Sequence, residues 1–188
     1  MFQKELKWKY TPSKPILVFF LKGLVVYLIW YILYNIILSP SGHLDAWLEH
    51  KLVTTGAGML RLFGYSVFTY ANVLGIQHMS GIQVATGCNG LSAIGLFLGF
   101  IIAYPGDTKK RLMFIPLGCM MLYLSNVLRL CLLTLTQYYQ PAAFDFMHHY
   151  AGDIFFYLVI FLLWLFWANW GQHALHFKPI RRQTDAMG

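Results

Sequence analysis

The stretch Ala85-Thr86-Gly87-Cys88-Asn89-Gly90-Leu91 sets a cysteine among small and polar residues at the mouth of an apolar run, an unusual place for a residue that normally fills cores. A thiol at the start of a helix meets the positive end of the backbone dipole, which favours the thiolate, so Cys88 is a candidate nucleophile. Asn126-x-x-Arg129 lies inside a later apolar run. A guanidinium there is costly and tends to face a partner or a polar cavity. Asn126 shares its helix face and could hold the guanidinium or a substrate carbonyl. The doublet His148-His149 precedes the last apolar run, and an imidazole there could serve as base toward a thiol and as acid toward a leaving amine. The two rings point to different faces of a helix, so at most one meets Cys88.

Each residue also has a reading without chemistry. Cys88 could be a packing residue, Arg129 could snorkel to outer headgroups as an anchor, and Gly87 and Gly90 could ease helix packing as well as substrate approach. Cys119 and Cys131 fall within an apolar run and read as packing; three cysteines so placed make no disulfide framework. His43, His50 and His78 form no recognised ligand spacing, and the expectation is a site without metal or cofactor.

The elements that position these residues follow from hydropathy. The chain has 188 residues, 58% hydrophobic and 11% charged, outside the balance of soluble domains. Runs at residues 15–38, 112–138 and 153–170 are long enough for a bilayer core of about 30 Å, which takes roughly 20 helical residues. A fourth, residues 91–104, reaches that length only if Cys88 to Gly90 begin the helix. The net charge is +7, yet Lys4, Lys7, Lys9, Lys14, Lys109, Lys110, Arg111, Lys178, Arg181 and Arg182 fall in three segments that four crossings place on one side. That is the positive-inside pattern and not a nucleic-acid footprint, so both termini are expected in the cytoplasm.

The expected fold is an all-α membrane protein with about four transmembrane helices, forming a single integral membrane domain over residues 1–188. Residues 1–14 read as a basic cytoplasmic tail with Trp8 and Tyr10 at the interface, and residues 171–188, with His173 and His176, as a second cytoplasmic tail. The first run is too long for a signal-peptide core and is expected to stay as an anchor. Residues 39–87 form an outer segment. Within it, residues 41–64 carry Leu44, Trp47, Leu48, Leu52, Thr55, Met59, Leu62 and Phe63 at helical spacing, the pattern of an amphipathic helix lying on the outer surface. Residues 65–84 read as a short hairpin or extended segment.

Depth then links the three chemical stretches. Arg129 lies eighteen residues past Arg111, roughly 27 Å at about 1.5 Å per residue, at the outer end of its helix. Cys88 and His148 each begin an inward-going helix, so all three share the outer face.

In that order and on that side, Cys88-Asn89-Gly90, Asn126-x-x-Arg129 and His148-x-x-x-Gly152 resemble the exosortase and archaeosortase family of membrane transpeptidases, over residues 47–167. The resemblance implies processing of C-terminal sorting signals on exported proteins, with Cys88 as nucleophile, Arg129 as electrostatic stabiliser and His148 as proton-transfer residue. Histidine at the third position looks like the bacterial form. Many members have about eight membrane helices, so this chain looks like a short form retaining the catalytic half. The expected substrate carries a motif, a transmembrane helix and a basic tail; membrane lipid is the other partner, and the expected location is the inner membrane with the site facing outward. The spacing to Gly152 favours His148, while His149 has Asp153 one turn on and could be oriented by it. A non-enzymatic scaffold or assembly subunit is the main alternative, and a small transporter using Arg129 for an anionic solute a third.

Overall fold

The computed structural model describes residues 14–171; the expected basic tail at 1–13, with Trp8 and Tyr10, and the tail at 172–188, with His173 and His176, lie outside the described residues. Helix α1 (Lys14–Ile32) continues through a π-helical turn, Leu33–Leu38, and a last turn, Ser39–Ser41, to Gly42 at φ 62°. Apart from Lys22 it is apolar on every side, as a lipid-facing helix is, and none of its spanning window is buried. Its neighbour is the helix Leu91–Ala103, where the Trp30 ring lies against Gly95.

Helix α2 (His43–Leu62) follows, as its periodicity predicts, and its buried face matches the expected one only in part, at Leu48 and Leu52. Trp47, Leu62 and Phe63 are exposed, whereas Asp45, Leu48, Glu49, Leu52, Val53, Gly56, Ala57 and Leu60 are buried. The small pair Gly56-Ala57 lets the backbone come close to the long helix Thr108–Tyr139, where Cys131 Sγ lies 3.6 Å from the Gly56 carbonyl oxygen. The two carboxylates are carried inward with that face.

The extended segment forms an antiparallel sheet of β1 (Val67–Tyr70), β2 (Val73–Ile76) and β3 (Ile82–Gln83), in that order. The expected hairpin is β1–β2; the third strand, two residues long, carries no alternation for sequence to show. It delivers the chain to the Cys88 loop.

Helix α3 (Leu91–Ala103) begins three residues after Cys88, so Cys88 to Gly90 do not start it. Its 13 residues extend about 20 Å, short of a bilayer core of about 30 Å. Helix α4 (Thr108–Tyr139) is capped by Asp107, which accepts from the Lys110 amide at 3.0 Å. A 3-10 turn (Pro141–Ala143), a single α-turn (Phe144–Phe146) and a π-helical turn (Met147–Ala151) lead into α5 (Gly152–Trp170). Among the described residues, three helical stretches are long and apolar enough to cross a membrane, Ile16–Ser41, Thr108–Tyr139 and Pro141–Trp170, with α3 as a shorter apolar helix.

Two cores divide α4 between them. Its later half packs Val127, Leu130 and Cys131 against Leu52 and Leu60 of α2 and Leu74 of β2. Its earlier half packs Phe114 and Leu122 against Phe97 and Ile101 of α3 and Ile160 and Trp167 of α5. In lipid such helix contacts are held by close packing more than by exclusion of water. At the far end, Lys110 Nζ donates to the Trp170 carbonyl at 2.8 Å, and Arg111 donates to the carbonyls of Ile101 and Tyr104, both at 3.1 Å. Cations thus satisfy the exposed C-terminal carbonyls of α5 and α3. Asn126 and Arg129 sit where α4 passes from one core to the other, at the opposite end from these cations.

Candidate functional site

The Cys88 loop is held through its backbone. Gly87 and Gly90 take φ 112° and 86°, values open to glycine and strained for other residues. The Cys88 amide donates to the Ala85 carbonyl at 2.9 Å, and Asn126 Nδ2 donates to the Cys88 carbonyl at 3.0 Å. Gly90 also leaves room for Asn126, since a Cβ there would stand 3.0 Å from Nδ2. Asn89, 3% exposed, accepts from the Leu91 amide at 3.0 Å through Oδ1 and donates through Nδ2 to Asp45. Glu49 accepts from Thr86 Oγ1 at 3.2 Å and Asn72 Nδ2 at 3.1 Å.

Arg129 is 8% exposed and donates through Nη2 to Asp153 Oδ1 at 2.8 Å, the one ion pair among the described residues. Its Nε is buried with no hydrogen-bond partner among the described residues. A buried donor left unpaired is destabilising, and the Trp164 and Trp167 indoles, away from this site, share that state. The glycine of His148-x-x-x-Gly152 has its reason here. A Cβ at Gly152 would stand 2.9 Å from Arg129 Nε and 3.1 Å from the Met147 carbonyl oxygen, so the guanidinium lies against a bare backbone. Gly152→Ala is therefore expected to displace Arg129 and destabilise the fold by about 1–3 kcal/mol, the range of overpacking. Thermal unfolding in detergent measures it; a wild-type transition would show that the contact is dispensable.

The histidines occupy the π-helical turn before α5, a local irregularity common at functional sites. His148 is half-buried and its ring stacks on Phe144 with centroids 5.7 Å apart. His149 is exposed, with Nδ1 3.1 Å from the Asp145 carbonyl oxygen. The two Nδ1 atoms are 3.4 Å apart. Asp153, which the sequence offered as an orienting partner for His149, pairs with Arg129 instead, across 24 residues.

Two cavities meet at these residues. One of about 120 Å³ is lined by Cys88, Asn126, Arg129 and His148 together with apolar residues of α2, α4 and β3. The other, of about 220 Å³, is lined by Cys88, Gly90, Arg129, His148, His149 and Asp153. The fold therefore brings Cys88, Arg129 and His148 to both cavities and Asn126 and His149 to one each, with Asn89 buried beside the loop. A larger apolar cleft of about 530 Å³ between α1, α3 and α5 shares Ser92, Ala93 and Tyr157 with the second cavity. Among the described residues no group of three His, Cys, Asp or Glu is placed to hold a metal ion.

Sequence reasoning missed Asp45, Glu49, Asn72 and Thr86, and gave Asp153 the wrong partner. One signal was present: Asp45 and Glu49 are one helical turn apart and flank Leu48, on the side that continues to Leu52.

A family model described as transmembrane exosortase matches residues 14–165. No curated protein and no solved structure matches the chain. The matched residues run from the start of α1 through most of α5 and include every residue lining the two cavities. On that coverage, the chain belongs to the transmembrane exosortase family.

Proposed function

We propose that this protein is a membrane-embedded cysteine transpeptidase that cleaves C-terminal sorting signals of exported proteins at the outer face of the cytoplasmic membrane. Family membership supports a membrane transpeptidase-type role. The observation that carries the finer reading is the convergence of one thiol, one guanidinium and one half-buried imidazole on a single cavity of about 120 Å³.

In this reading the Cys88 thiolate attacks the scissile carbonyl, and Arg129 with nearby amides stabilises the oxyanion. His148, holding the proton, passes it to the departing amine as the C–N bond breaks, leaving a thioester on Cys88. An acceptor amine or hydroxyl, or water, then attacks the thioester. His148 takes the acceptor's proton, and the thiolate is released. No metal or cofactor enters these steps.

Orientation follows from charge. Lys109, Lys110 and Arg111 lie at the end of the helices opposite the site, so the positive-inside rule turns Cys88 outward and both termini toward the cytoplasm. The substrate in this reading is an exported protein ending in a motif, a transmembrane helix and a basic tail, confined beside the membrane lipid. The apolar cleft shares Ser92, Ala93 and Tyr157 with the site cavity, so a substrate helix lodged in the cleft lies beside the cavity that Cys88 lines.

The test pairs this chain with a co-expressed exported protein of that kind and follows its shortening by mass. His148→Ala is expected to lower the rate about a hundred-fold, the scale of a lost general acid, and His149→Ala to leave most of it. A larger loss in His149→Ala would move the proton-transfer role to that residue. If the substrate stays intact beside the wild-type protein while remaining membrane-bound, a non-enzymatic assembly role is the better account.

A further inference from the structure

We infer that α2 is the positioning element of the nucleophile loop, with Asp45 and Glu49 as its two positioning residues. The inference rests on the transpeptidase reading of Cys88 for its consequence, though not for its geometry. Asp45 is 4% exposed and Glu49 7%, and neither belongs to an ion pair among the described residues. Burying carboxyl groups is unfavourable unless hydrogen bonds compensate. Here the compensating donors come from the cysteine loop and the sheet beside it: Asn89 to Asp45, Thr86 and Asn72 to Glu49.

The placement brackets the nucleophile. Thr86 lies two residues before Cys88 and Asn89 one residue after, so one helix holds the loop on both sides of the thiol. Asn89 carries the restraint further: Nδ2 is held by Asp45 while Oδ1 accepts the Leu91 amide, joining the carboxyl group to the first residue of α3. Asn72 joins Glu49 to the sheet, since its Nδ2 also donates to the Val84 carbonyl at 2.8 Å. Side chains that fix a reacting atom from behind act on rate more than on binding, because small misplacements are costly. An amphipathic helix serving only as a surface anchor would keep both carboxylates in water.

The experiment uses the full chain in detergent or membranes and compares Asp45→Ala, Asp45→Asn, Asn89→Ala and the Asp45→Ala/Asn89→Ala pair. Asp45→Ala is expected to lower kcat about ten-fold with KM little changed, the scale of one lost hydrogen bond to a charged group. Asp45→Asn keeps an oxygen acceptor for Asn89 and is expected to restore most of kcat. The double variant should be no worse than the poorer single one, because both act through one contact.

A second arm needs no substrate and so reads the clamp even if the transpeptidase reading fails. Alkylation of Cys88 by a maleimide is expected to rise about ten-fold in Asp45→Ala as the loop loosens, with Cys119 and Cys131 unchanged. Wild-type kcat and labelling in Asp45→Ala would overturn the inference. So would a parallel rise at Cys131, which reports general loosening, an Asp45→Asn variant as impaired as Asp45→Ala, or additive losses in the double variant.

Discussion

Cys88→Ala and Cys88→Ser are expected to stop processing, at least about a thousand-fold below the native chain, the scale on which removal of a nucleophile acts. The loop should survive both changes. Its fixed points are the Cys88 amide and carbonyl, the Asn89 side chain and the two positive-φ glycines, none of which involves the sulfur. Serine keeps shape and polarity, but a hydroxyl is a weak nucleophile unless a well-placed base activates it. The measurement is the yield of shortened substrate against an equal amount of membrane-inserted protein, with thermal unfolding in detergent as the folding control. A native rate in either variant would remove Cys88 from the reaction and the transpeptidase reading with it.

Arg129→Lys is expected to lose about a hundred-fold or more in kcat while the protein still inserts and folds, matching the cost of removing an oxyanion donor. An ammonium keeps the charge and can still meet Asp153, but it lacks the planar fork that pairs with one group while presenting donors to another. The geometry separates these two duties. Nη2 is engaged by Asp153, the carboxylate being half-exposed, and the guanidinium forms part of the wall of both cavities. Asparagine at 153 keeps an oxygen that can accept from Nη2, so Asp153→Asn should cost far less activity than Arg129→Lys. Processing assays on the two variants decide the matter: equal losses would assign Arg129 a purely structural pairing role, and native activity in Arg129→Lys would reduce it to an anchor.

The positions of these residues along the helices were legible without coordinates because they depend on counting. The rise of about 1.5 Å per residue sets Arg129 about 27 Å along α4 from Arg111 wherever that helix packs. Periodicity likewise announced α2 and the β1–β2 hairpin. It misjudged part of the face of α2 because apolar residues occur on more than one side of that helix. The side that meets α4 combines Leu52, Val53 and Leu60 with the small pair Gly56 and Ala57. The start of α3 at Leu91 was equally a local question that hydropathy answered poorly. Its answer is the left-handed turn at Gly90 and the Asn89 side chain that accepts the Leu91 amide.

By itself, then, the sequence determined the apolar helices, their basic loop, the order of the Cys, Arg and His motifs and their common end of the bundle, all consequences of local spacing and transfer energetics. Only the tertiary structure decided that Arg129 pairs with Asp153 across 24 residues, that His148 lines both cavities and His149 one, and that Asp45 and Glu49 are buried beside the Cys88 loop. The physical reason is that a hydrogen-bonding side chain carries no mark of its partner. A carboxylate on an amphipathic helix reads as solvated until packing removes the water, and which donor then replaces that water depends on how distant segments approach.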